Sequence, residues 1–95
     1  MIIQIVKFQS DLGREEVLKV ARERASMFRA IPGLLQKYYV HPEEPGHYAG
    51  VYIWDSVESL REFRASELAA TIPQAYHVTE PPEIEVYEVV FTLRD

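Results

Sequence analysis

The stretch Gly50–Leu68, GVYIWDSVESLREFRASEL, constrains the fold more than any other part of the chain. It opens with Val51-Tyr52-Ile53-Trp54, β-branched and aromatic residues suited to a pleated, buried surface. At Asp55-Ser56 the apolar period changes from about 2 to about 3.6. Either residue can cap a helix through its side-chain oxygen, and Glu58 follows Asp55 at capping-box spacing. Val57, Leu60, Phe63 and Leu68 then fall toward one side of that helix. A strand running straight into a helix, each with an apolar face, makes one wall and the roof of a core.

The rest of the chain fits around this unit. Met1–Phe8 reads as a strand with Ile3 and Ile5 on one face and Ile2, Val6 and Phe8 on the other. A strand apolar on both faces is normally covered on both. A helix is expected over Gly13–Ala30, stopped by Ile31-Pro32-Gly33, with Val17, Val20, Ala21, Met27, Phe28 and Ile31 on one stripe. Leu34–His41 is a second, more polar strand and belongs at a sheet edge. His41–His47, punctuated by two prolines and a glycine, is a hairpin loop leading into the strand Tyr48–Trp54. The second helix should run to about Thr71, followed by an irregular connection over Ile72–Pro82 that holds three prolines. Ile84–Leu93 reads as a long last strand, apolar on both faces.

The order β-α-β-β-α-β is the ferredoxin-like α+β arrangement: a four-stranded antiparallel sheet with two helices on one face, in a single domain spanning 1–95. Its first and third strands are central, in keeping with their two-sided apolarity. The second face of the sheet has no helix to cover it. A second copy of the same sheet is the simplest cover, so a homodimer is expected.

Composition removes several classes of function. The formal charge of −5 argues against nucleic acid or an anionic membrane as partner. The absence of cysteine excludes a disulfide framework, a thiolate nucleophile and a cysteine-ligated metal. No phosphate-binding glycine loop, no GxSxG elbow and no metal-ligand cluster is present. MIIQIVKF lacks the pattern of a signal peptide, so a cytoplasmic location is the expectation.

Three segments carry a family resemblance: Ile31-Pro32-Gly33-Leu34, Gly50-Val51-Tyr52-Ile53-Trp54-Asp55-Ser56, and Val86-Tyr87-Glu88-Val89. Through them the whole chain resembles the dimeric α/β-barrel superfamily, and within it the small antibiotic-biosynthesis monooxygenases and their relatives. The resemblance implies a homodimeric barrel and oxygenation of a small aromatic or polyketide-like compound without a cofactor. The alternative is a non-catalytic module of the same fold that binds a metabolite or dimerises. Haem-degrading members carry a second tryptophan and an iron-ligating histidine in the second helix. Here those positions hold Phe63 and Pro73, which speaks against that branch.

Candidate site residues follow from position. Arg24 and Arg64 lie within the apolar stripes of the two helices, where a guanidinium could hold a phenolate or other anionic oxygen. The competing reading is that their stems cover apolar surface, with the heads in water or paired to Glu67 or Glu88. His77, beside Tyr76 in the irregular connection, is the candidate general base, against an ordinary loop histidine. Tyr52, Trp54, Phe63 and Tyr87 are candidates for the lining of a cavity suited to a flat ligand, against plain core packing. His41 and His47 flank the hairpin without metal-ligand spacing, and no metal is expected.

Overall fold

The computed structural model describes residues 1–95. Strand β1 (Ile2–Gln9) is followed by helix α1 (Arg14–Arg29), strands β2 (Leu34–Val40) and β3 (His47–Trp54), helices α2 (Val57–Arg64) and α3 (Glu67–Ala75), and strand β4 (Glu83–Glu88). The four strands form one antiparallel sheet in the order β2-β3-β1-β4. Strands β1 and β3 are central, and β2 and β4 are the edges, β4 included although its residues read as apolar on both faces. No helix is long and apolar enough to cross a membrane.

Register sorts the side chains between the faces. Ile2 pairs with Trp54, Gln4 with Tyr52 and Phe8 with Tyr48, which sets these side chains on the helical face. Ile3 pairs with Ile53 and Ile5 with Val51, on the opposite face. That second face carries no helix and leaves Tyr38 and Tyr87 about half exposed.

Two apolar clusters fill the space between helices and sheet. Phe28, Tyr52, Trp54, Leu60 and Phe63 form the first. Tyr52 and Trp54 lie parallel, with ring centroids 6.0 Å apart, and Phe63 sits 5.3 Å from the Trp54 ring. Trp54 is fully buried, and its indole Nε1 donates to Gln4 Oε1 at 3.0 Å, so the buried amide and indole satisfy each other. Val17, Ala21, Tyr48 and Tyr76 form the second cluster, under the start of α1.

The Ile31-Pro32-Gly33 turn locks the two halves together. Gly33 has φ +82°, and a Cβ there would lie 2.7 Å from Asp55 Oδ1 and overlap the Ser59 side chain. Asp55 N donates to Gly33 O at 2.9 Å, while Asp55 Oδ1 accepts from Ser59 Oγ at 2.7 Å. Only glycine fits both that backbone and that contact.

Three expectations require correction. The single second helix is two, because Ser66 interrupts it. Its Oγ donates back to Phe63 O and accepts from Ala69 N, ending α2 and capping α3 in one residue. The first part of the irregular connection is therefore helical, and α3 passes through Pro73 before ending two residues later. Finally, β4 stops at Glu88 rather than Leu93, because its partner β1 runs out: Ile2 pairs with Glu88, and Val89 N donates to Met1 O as the last rung. Val90, Phe91 and Leu93 beyond it are more than three-quarters exposed. Within α1, Met27 is 44% exposed, so the buried stripe is narrower than its periodicity indicates.

Candidate active site

Between α1, the end of α3 and the strands β1–β3 lies a cavity of about 150 Å³. Its walls are mainly apolar and aromatic: Phe8, Val17, Tyr48, Tyr52, Ile72 and Tyr76. Gly50 leaves the floor open, since a Cβ there would press on the Tyr52 ring at 3.2 Å and fill the space beside Lys37 Cε. Arg14, Leu18, Val40 and His41 complete the wall where α1 begins and β2 ends. No acidic residue lines this cavity, although the protein as a whole carries a net charge of −5.

The most unusual group in it is Lys37. Pairing of Lys37 with Tyr52 turns its side chain under α1. The Nζ atom lies 3.6 Å from the Phe28 ring centroid, 4.4 Å from Tyr39 and 4.6 Å from Tyr52, and no carboxylate pairs with it. Aromatic faces favour the ammonium form. Loss of water around the amine, followed by the positive charge of Arg24, opposes it more strongly and brings the Lys37 pKa down to about 7. A substantial fraction of the side chain is thus a free amine at neutral pH.

The tyrosines of the cavity are held in the opposite sense. Burial pushes the Tyr76 hydroxyl up to about 12, with Tyr39 adding to the rise and Arg24 opposing it. Burial likewise raises Tyr52 and Tyr39. These hydroxyls stay protonated as donors. The Tyr76 hydroxyl is buried without any hydrogen-bond partner, whereas Tyr48 donates to Leu12 O at 3.2 Å.

The residues singled out from sequence are dispersed. Tyr52 lines the cavity. Trp54 and Phe63 are packed in the first cluster, behind the cavity rather than in its wall. Tyr87 lies on the uncovered face of β4 and donates to Glu85 Oε2 at 2.6 Å. Arg64 is exposed at the last turn of α2, forms none of the ion pairs expected with Glu67 or Glu88, and lies outside the cavity wall. His77 is exposed, adopts φ +49°, and places Nδ1 3.3 Å from Asp11 Oδ1, outside the cavity wall that its neighbour Tyr76 helps to form.

Arg24 stands next to the cavity rather than in its lining. Its Nη2 donates to Thr71 Oγ1 at 2.9 Å and to Leu68 O at 3.4 Å, fastening α1 to α3, and its buried Nε has no partner. Its charge is felt by Lys37, Tyr39, Tyr52 and Tyr76. It pairs with no carboxylate.

Lys37 escaped the reading of the sequence because it sits on an edge strand more polar than β1. Its alternation with Tyr39 was visible; which face of β2 lies beneath α1 was not. No three His, Cys, Asp or Glu side chains converge as a metal site.

A ferredoxin-like sheet roofed by helices, with an aromatic, basic cavity between the layers, defines an α+β protein of the ferredoxin-like class. The chain belongs to the antibiotic biosynthesis monooxygenase family, whose model matches residues 1–74. Its fold is that of SnoaB, a cofactor-independent oxygenase from Streptomyces nogalater (16% identity, 99% of this chain and 97% of that one, TM-score 0.79). It is also that of a monooxygenase from ActVA-Orf6 of Streptomyces coelicolor, solved with the ligand nanaomycin D (18% identity, 99% and 91% covered, TM-score 0.75). No curated protein matches the sequence.

Proposed function

We propose that the protein is a cofactor-independent monooxygenase acting on a single-ring phenolic compound held in the cavity beneath α1. The observation that carries this reading is the Lys37 amine held among aromatic rings in a cavity whose wall contains no acid, surroundings that bring its pKa down to about 7. A cavity of about 150 Å³ matches in size the engineered cavities that enclose one benzene ring. A larger polyketide-like substrate would have to leave its remaining rings in the mouth between Arg14, Leu18 and His41. Lys37 takes the role first sought in His77.

The chemistry runs without an added redox group. Neutral Lys37 Nζ removes the phenolic proton, and the resulting ammonium, with Arg24 nearby, steadies the phenolate. Charge delocalised onto a ring carbon reduces dioxygen, and a C–O bond forms there to give a hydroperoxide. Loss of the ring C–H proton and cleavage of the O–O bond release water and leave a quinone. Phenol plus dioxygen thus balances quinone plus water. The Tyr52 and Tyr76 hydroxyls are the donors available to the developing oxyanions.

An oxygen electrode and the quinone absorbance test this directly, using a panel of phenols and hydroquinones between pH 6 and 9. Oxygen uptake matched by quinone, rising through pH 7, is expected. A compound that raises the melting temperature yet is never turned over favours the non-catalytic metabolite-binding module. No binding and no uptake across the panel overturns both.

Two copies joined through the uncovered sheet face complete the assembly. Ile3, Ile5, Val51 and Ile53 share that face, flanked by half-exposed Tyr38 and Tyr87. So large an apolar patch is uncommon on a soluble monomer. Light scattering at micromolar concentration is expected to give twice the chain mass, and a clean monomer would remove the homodimer.

A further inference from the structure

The same cavity fits a second kind of chemistry that does not involve dioxygen. From the placement of Lys37 Nζ among Phe28, Tyr39 and Tyr52, in a cavity wall without a carboxylate, we infer that this amine captures small aromatic aldehydes and ketones as imines.

An imine-forming lysine needs three things: a neutral amine, space for a carbonyl compound beside it, and a proton donor for the carbonyl oxygen. The first follows from the surroundings of Nζ. Charged and titratable groups approach it from each packed element: Arg24 on α1, Tyr39 on β2, Tyr52 on β3 and Tyr76 at the end of α3, with Arg14 and His41 at the mouth. None is an acid that could hold the ammonium in place. Burial and Arg24 leave the amine half unprotonated near pH 7.

Space is provided on both sides of the side chain. Lys37 and Tyr39 border the 150 Å³ cavity and also a groove against Ala25, Phe28 and Leu34. An aromatic ring entering the cavity meets Tyr52 and Phe8 as stacking partners. The unpartnered Tyr76 hydroxyl in the same wall is the donor for the carbonyl oxygen.

The step balances without an oxidant. The Nζ lone pair forms a C–N bond to the carbonyl carbon while the oxygen takes up a proton, giving a carbinolamine. The C–O bond then breaks, water leaves with a proton from nitrogen, and the imine remains. Amine plus carbonyl compound equals imine plus water.

The chain has only three lysines, Lys7, Lys19 and Lys37, so the test contains its own references. Lys7 is held by Glu85 at 2.9 Å, which raises its pKa. Lys19 lies on the exposed side of α1. Protein is incubated at pH 7 with benzaldehyde and sodium cyanoborohydride, which fixes any imine as a benzylamine, and the product is mapped by peptide mass spectrometry. Benzylation of Lys37 is expected at least about 100-fold faster than of Lys7, whose ion pair with Glu85 keeps its amine protonated, and faster than of the exposed Lys19. Arg24→Met removes the neighbouring charge and should slow capture at pH 7 several-fold, with recovery at pH 9. Equal rates at all three lysines, or none at Lys37, overturn the inference whatever happens to oxygen uptake. The comparison is made within the wild-type chain, so it does not depend on any variant folding.

Discussion

Lys37→Met is expected to lower oxygen uptake with the best phenol by roughly 10²- to 10⁴-fold, the usual loss when a positioned base is removed. Methionine keeps most of the stem that packs under Phe28 and Tyr52 and removes the amine. Stability should move the other way. The folded-state pKa of Lys37 lies near 7, below its ordinary 10.5, so the unfolded chain binds more protons between these values. Wild-type stability should therefore rise as pH increases from about 7 to 10.5, and the cost of burying the ammonium is greatest below 7. Lys37→Met should be more stable than the parent at pH 6, by roughly 2–4 kcal/mol once the wet part of the side chain is discounted. That advantage should vanish by pH 10.5. Melts of both proteins across this range check the sign. A variant that keeps its oxygen uptake, or a stability difference independent of pH, removes Lys37 from the role of base.

Trp54→Ala should be the most damaging single change in the protein. The ring is fully buried, stacked on Tyr52 and packed on Phe63, and such truncations cost about 3–5 kcal/mol. The lost indole N–H also strands the Gln4 side-chain oxygen, adding about 1–3 kcal/mol. A domain of this size is stable by about 5–15 kcal/mol in total, so the variant should melt at least ~20 °C lower or fail to fold. Trp54→Phe keeps a ring and loses only the donor, and should show mainly the smaller part of the effect. A Trp54→Ala protein that melts within about 5 °C of the parent while its ligand affinity changes would make Trp54 a wall of the cavity after all.

That contrast between Trp54 and Lys37 reflects what a linear pattern can carry. Trp54 had two readings, cavity lining and core packing, and the structure places it in the core: strand alternation set it beside Tyr52 on an inner face, but not which of the two borders empty space. The pairing of Gly50 with Val6 and Tyr39 decides that, because the missing side chain opens the floor next to Tyr52. Phe63 likewise carried both readings and packs in the core. Arg64 and His77 were singled out by local context, a helix stripe and a neighbouring tyrosine. Arg64 is exposed on α2, which contributes nothing to the cavity wall, and His77 is exposed with a left-handed backbone just past α3.

Local chemistry determined the order of elements except for the split of the second helix, together with the edge position of β2 and the helix start at Ser56. Each depends on neighbours in sequence: period, capping oxygen, proline or glycine. The Ser66 break is local as well, since its hydroxyl bonds Phe63 O and Ala69 N, each three residues away, but a serine inside a helical period does not announce it. The early end of β4 needed the tertiary structure, because it depends on where β1 begins. The chemical character of the site was decided entirely there. Lys37 is an ordinary surface residue on a polar strand until α1 roofs that strand, removes its water and sets Arg24 near enough to repel its proton. Burial and long-range charge are properties of packing between segments far apart in the chain, and no spacing within β2 encodes them.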